Sequence, residues 1–295
     1  MYNLVISTIW QGLLWSLMAL GVYLTYRVLD IADLTVEGSF PLGAAVAISM
    51  IAAGFNPWLA VLGAFCAGML AGVVTGLLHT KLQIPALLAG ILSMIALYSI
   101  NLRVMGNKAN LSILRMDTVF TPFMNLGLSK NEGILVCCLL VVVVIVLIIY
   151  WFFGTELGAA IRATGFNKQM IRAQGVNTDI TVILGLLISN GLVAVSGALV
   201  GQSQGYADVG MGTGTIVTGL ASLIIGEVIF GTRSFKNCLI SVVLGSILYR
   251  GVIAFVLWLG MNPNDLKLLT AIIVAIALSL PLMKNKLSAK KKGVA

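Results

Sequence analysis

The sequence predicts an all-α integral membrane protein, a polytopic bundle of about nine transmembrane helices. Three observations carry this. Of 295 residues, 59% are hydrophobic and only 9% are charged, far below the roughly 25% charged residues of a soluble domain. Residues 134–153 form one run without a charge, and about 20 such residues cross a bilayer core at 1.5 Å each. Backbone polar groups in lipid must be satisfied within the segment, and the alternation of a β-barrel strand is absent, so the runs are read as helices.

Taken in order, the apolar runs place helices near 4–26, 39–54, 57–79, 84–103, 134–153, 180–201, 214–231, 237–259 and 266–283. Eight or ten crossings follow if a segment is re-entrant. The first run is long and has no positive leader before it, so it is read as a retained helix rather than a signal peptide. Short polar breaks separate most runs. Two breaks are long, at 104–133 and 154–179. Residues 1–295 are read as one transmembrane domain, with 154–179 as a loop within it and 284–295 as a basic tail.

Basic residues set the expected orientation. Arg27, Lys81, Arg162, Lys168, Arg172, Arg233, Lys236, Lys284, Lys286, Lys290, Lys291 and Lys292 fall on one side after nine crossings, twelve of the eighteen Lys and Arg. By the positive-inside rule that side is cytoplasmic, with the N-terminus outside. The net charge of +8 is thereby assigned to cytoplasmic loops, and no nucleic-acid partner is expected.

Small residues recur at Ala64, Gly68, Gly72 and Gly76, a stripe that lets another helix approach closely. The four cysteines lie in or beside apolar runs without metal-ligand spacing and read as packing residues. No G-x-x-x-x-G-K-[ST] motif occurs. The glycine-rich Gly210-Met211-Gly212-Thr213-Gly214 reads as a tight turn into the next helix. His79 has no partner for catalysis or metal binding, so neither an enzyme nor a bound cofactor is expected.

Three polar features remain. In 154–179, residues 167–173 can form a short helix, with Met170 and Ile171 as an apolar edge and Lys168 and Arg172 as a basic one. Such a surface suits docking into a partner's groove; the alternative is a solvated loop that enforces topology. Asp33 and Glu37 sit between two apolar runs. They mark either a broken helix lining a wet path or an ordinary cytoplasmic turn capped by Asp33 or Thr35. Glu227 and Arg250 interrupt apolar helices and either pair or snorkel. Gln202, Ser203, Gln204 and Tyr206 either meet a substrate or partner near the outer face or cap a helix.

Gly158-x-x-x-Arg162-Ala163-Thr164-x-x-Asn167, continuing to Ala173-x-Gly175-Val176-Asn177, resembles the coupling loop of the branched-chain amino acid permease family of ABC importers. Trp10-Gln11-Gly12-Leu13-Leu14, Ala19-Leu20-Gly21, residues 31–38, Leu92-Ser93-Met94-Ile95-Ala96 and Ser196-Gly197-Ala198-Leu199-Val200-Gly201-Gln202 resemble other parts of that family in the same order. The resemblance is weakest over 104–133. Residues 33–41 and 219–227 look most like the branch that takes up tryptophan or tyrosine.

The resemblance implies a type II-like ABC importer permease in the bacterial cell membrane, working as a homodimer. It implies separate ATPase subunits that hold ATP and Mg, and an extracytoplasmic lipoprotein that delivers an aromatic or branched-chain amino acid. It implies ATPase coupling through Arg162, Asn167, Lys168, Met170, Ile171, Arg172 and Gly175. It implies a translocation path along Asp33, Thr35, Glu37, Ser39, Ser93 and Gln202. The competing readings are an ion-coupled secondary transporter, for which no second acidic site at the same depth faces Asp33 and Glu37, and a membrane-embedded enzyme or scaffold.

Overall fold

The computed structural model describes residues 2–114, 116–124, 129–260, 265, 268, 270–272 and 275. Helix α1 (Tyr2–Tyr23) continues as a π turn, Leu24–Val28; then come α2 (Val36–Ala52), α3 (Pro57–Thr80) and α4 (Ala86–Val104). A strand β1 (Asn110–Ser112) and a turn of helix α5 (Thr121–Met124) lead to α6 (Lys130–Phe153). Two short helices, α7 (Glu156–Phe166) and α8 (Lys168–Ala173), precede α9 (Thr178–Gln204), β2 (Tyr206–Asp208), α10 (Thr215–Phe230) and α11 (Phe235–Trp258).

Among the described residues, seven helical stretches are long and apolar enough to cross a membrane. One more pass is built from the non-helical residues 29–35 and the shorter α2. The expected helix at 266–283 lies largely outside the described residues, so nine crossings are not established. Leu139, Val143 and Leu147 of α6 and Leu62 and Leu70 of α3 are exposed. On a soluble protein such a belt would be an association patch; here it faces lipid.

Helix α9 is the hub. Buried residues occur along almost its whole length, and α3, α2 and α1 all pack on it. The small-residue stripe of α3 faces it: a Cβ at Gly68 would overlap the Asn190 carbonyl, and one at Gly72 the Leu186 carbonyl. Helix α2 makes a similarly close backbone contact with α9, since a Cβ at Gly43 would strike Ala194 O and one at Gly197 would strike Phe40 O. Without a hydrophobic force between helices in lipid, such dispersion contacts hold the bundle together.

Several expectations shift. Helix α6 starts four residues before the expected 134, because Ser129 and Glu132 form a capping box; its charges read as loop in the sequence. Helix α2 begins at Val36 rather than 39 and takes Glu37 into its first turn. Strands β1 and β2 pair antiparallel, Leu111 opposite Ala207, at one end of the bundle. At the other end gather Arg27 with Glu227 (3.1 Å), Lys81 with Asp179 (3.3 Å), and Arg162 over the Phe235 ring (5.3 Å); this is called the basic end below.

Candidate translocation and coupling sites

The chain descends α1 to Val28, which touches α7 through Gly165. It then turns back: Leu29 packs on Gly185, and Asp33 reaches Asn190, midway along α9. Residues 29–35 therefore climb from the basic end into the middle of the bundle before α2 starts. The segment is a broken pass, and the cytoplasmic-turn alternative does not hold. Asp33 does cap the break, but as an Asx turn: its Oδ1 accepts the Thr35 N–H at 2.9 Å.

A non-helical segment at this depth needs partners for its polar groups, and they are present. The Asn190 amide donates to Asp33 Oδ2 (2.8 Å) and to Leu186 O (3.1 Å), and accepts from Ser39 Oγ (2.7 Å). Thr75 donates to Ser93 (2.7 Å), so in the Thr35–Thr75 contact (2.8 Å) Thr35 is the donor. Asn101 donates to the Gly38 carbonyl at 3.2 Å. Asp33, Thr35, Ser39 and Ser93 thus meet in one cluster with Asn190, Thr75 and Asn101.

All of these side chains are buried within the single chain. They hold the broken pass against α3, α4 and α9 instead of presenting a surface. Gln202 is elsewhere. It lies about 18 Å further along α9 at the α-helical rise, where its Oε1 accepts the Val119 N–H at 3.0 Å. Glu37 differs from the other five in keeping partial exposure. One of its oxygens accepts the Gly214 N–H at 3.0 Å. Gly214, at φ +81°, begins α10, so the glycine-rich turn folds over the start of α2.

The loop at 154–179 holds two helices where one was expected. Thr155 caps α7 and Asn167 caps α8, each side chain accepting a backbone N–H three residues on. Gly175, at φ +84°, follows the end of α8. Helix α7 is seated firmly: Gly165 lies against the Val28 backbone, and Thr164 bonds Thr181 at 2.8 Å.

Two expectations for α8 are corrected. Ile171 is buried and anchors the helix inward, so it is not part of an outer edge. Arg172 is already engaged by its own chain, with Nε on Thr178 Oγ1 at 2.6 Å and its other end on Asp179 at 3.3 Å. The outward apolar surface is Phe166, 91% exposed, with Met170, 46% exposed; Lys168 is exposed beside them. The sequence reading missed Phe166, although a large aromatic residue just before a cap in a polar loop was a visible signal.

The family model described as the permease component of branched-chain amino acid transport systems matches residues 4–278. A tyrosine transport system permease protein of Clostridioides difficile is 41% identical over 270 residues, covering 92% of this chain and 88% of that one. An uncharacterized protein of Rickettsia prowazekii is 34% identical over 94% of this chain and 97% of its own length. A galactofuranose transporter permease of Escherichia coli is 27% identical over 89% of this chain and 75% of that one. A solved metal-chelate type ABC transporter in an inward-facing conformation shares the fold, with TM-score 0.52 at 15% identity over 96% of this chain and 85% of that one. The chain belongs to the branched-chain amino acid transport permease family and is a multi-pass permease component of an ABC transporter.

Proposed function

We propose that this chain is the membrane path of a bacterial importer for an aromatic amino acid of the tyrosine kind. It works as a homodimer in the cytoplasmic membrane, with two ATPase subunits on the basic end and an extracytoplasmic binding protein on the other. The observation that carries the mechanism is the exposed Phe166–Met170 surface on two helices fixed to the end of α1 and the start of α9. A chain with no nucleotide motif needs such a handle for ATP-driven work. Helix α7 rests on the Val28 backbone, and residues 29–35 lead from there to the buried cluster. A push on α7–α8 is therefore transmitted to the broken pass. Glu37, in the first turn of α2, faces the path, and Asp33, Thr35, Ser39 and Ser93 form the support behind it. Gln202 steadies the far end.

The amino acid assignment is supported by the 41% identity to the tyrosine permease against 27% to the galactofuranose permease. The test is ATP-dependent uptake of radiolabelled tyrosine by proteoliposomes holding the permease, its ATPase and its binding protein. Accumulation that needs ATP and is blocked by excess tyrosine but not by ribose is expected. Uptake that follows an ion gradient without ATP would overturn the proposal in favour of a secondary transporter.

The proposed orientation has its own check. In a background lacking the exposed Cys66, Asn3→Cys is expected to react with a membrane-impermeant maleimide in intact cells. Gln174→Cys is expected to react only after lysis. The reverse pattern would invert the topology and place α7–α8 outside, away from any ATPase.

A further inference from the structure

Arg250 is sunk into α11 well past its first turns. All ten acidic residues of the chain are among the described ones, yet the three ion pairs among the described residues leave Arg250 out. Glu227, the other charge interrupting an apolar helix, is taken by Arg27 at 3.1 Å. The Arg250 guanidinium instead lies over Trp15, its Cζ 3.9 Å from the ring centroid. Trp15 in turn packs on Phe40 of α2, with centroids 5.0 Å apart.

A ring face satisfies the charge of a guanidinium but not its N–H groups. Arg250 Nε is buried with no hydrogen-bond partner, and so is Trp10 Nε1. Both border one cavity of about 100 Å³, which Gln11, Ser203 and Gln204 also line. Two orphaned donors, one of them cationic, in a polar recess between α1, α9 and α11 point to an absent anion. Buried donors without partners are uncommon, and an ionisable group at membrane depth is by default a functional one.

We infer that this cavity binds the α-carboxylate of the transported amino acid. The inference rests on the amino acid import proposed above. With one face covered by Trp15, the guanidinium edge offers the paired N–H groups that match the two oxygens of a carboxylate. Trp10 adds a third donor. The Gln11 and Gln204 amide oxygens are acceptors suited to the ammonium group. At roughly 30 Å³ per water the recess holds about three waters. That is room for the carboxylate and ammonium end, with an aromatic side chain projecting out. Ser203 and Gln204 end α9 at the face remote from α7–α8, where a binding protein would release its cargo. The Trp15–Phe40 contact joins the site to α2, next to Ser39 of the buried cluster.

The test uses the assembled transporter. Arg250→Gln is expected to lower tyrosine uptake at least tenfold, and Arg250→Lys to restore part of it. ATPase stimulation by the loaded binding protein should persist in both. Equilibrium binding of radiolabelled tyrosine to the wild-type permease–ATPase complex provides a readout that needs no variant to fold. Displacement by unlabelled tyrosine, but not by tyramine or tyrosine methyl ester, is expected. Equal displacement by these carboxylate-free analogues would overturn the site. So would no detectable tyrosine binding at millimolar concentration, or uptake by Arg250→Gln within twofold of wild type. Mass spectrometry of the intact complex distinguishes a lipid source: a phospholipid held by wild type and lost in Arg250→Gln would assign the donors to a lipid phosphate and overturn the proposal. If the wild-type transporter imports no amino acid at all, it is the proposed function that fails. If it imports amino acids regardless of Arg250, only the site fails.

Discussion

Asn190→Leu is expected to abolish uptake and to lower the free energy of unfolding by about 3–5 kcal/mol, the range for stranding a buried charge by removing its partner. Asn190 holds the Asp33 carboxylate at 2.8 Å and accepts from Ser39 at 2.7 Å, all inside the bundle. Leucine keeps the branched heavy-atom shape of asparagine, so no cavity is left, and its bulkier methyl groups add a packing cost to the loss of the hydrogen bonds. Set against a typical total of about 5–15 kcal/mol, this is a large fraction.

The effect is not additive with removal of Asp33. Asp33→Ala together with Asn190→Leu leaves no carboxylate to strand and is expected to be less destabilised than Asn190→Leu by itself. Titration with a denaturing detergent, followed by helix content, measures both. A single variant within 1 kcal/mol of wild type, or a double variant no better than the single, would mean that the cluster does not hold the broken pass.

Much of this architecture could be read from the sequence. The uncharged runs marked the apolar helices of the described residues, seven of them long enough to cross a membrane. The Ala64–Gly68–Gly72–Gly76 stripe marked a close helix contact, which proved to be that of α3 with α9. Asn167 and Gly175 bounded α8 as capping chemistry requires.

What stayed hidden depends on depth and direction. The break at 29–35 is visible as polar residues, but only Asn190, remote in sequence, reveals that it lies at mid-bundle. Asn190 and Thr75 are lone polar residues in apolar helices, and that signal passed unread. Helix α7 is rich in Gly and Ala, which carry almost no hydrophobic period, so it read as loop. In a helix as short as α8, periodicity cannot say which apolar residue turns inward; Ile171 does, and Met170 does not.

The second large effect is expected at the basic end. Phe166→Asp combined with Met170→Asp should detach the ATPase or sever hydrolysis from transport. Phe166 is 91% exposed and Met170 46% exposed, so neither change opens a cavity in the permease, and the fold should persist. An aromatic anchor at the centre of an interface is worth 2 kcal/mol or more. Replacing two anchors with desolvated carboxylates should cost about 4 kcal/mol, close to a thousandfold in affinity. Arg172 is a poorer probe. Reversing its charge would break its own contacts to Thr178 and Asp179 and so disturb α8 from within.

The deciding measurement is made on the double variant reconstituted with its ATPase and binding protein. ATPase co-purification and the stimulation of hydrolysis by substrate-loaded binding protein are compared with wild type, alongside docking of the binding protein on the opposite face. Loss of association or of stimulation, with docking intact, is the expected result. Full association with full coupling would contradict it and reduce α7 and α8 to a topological anchor.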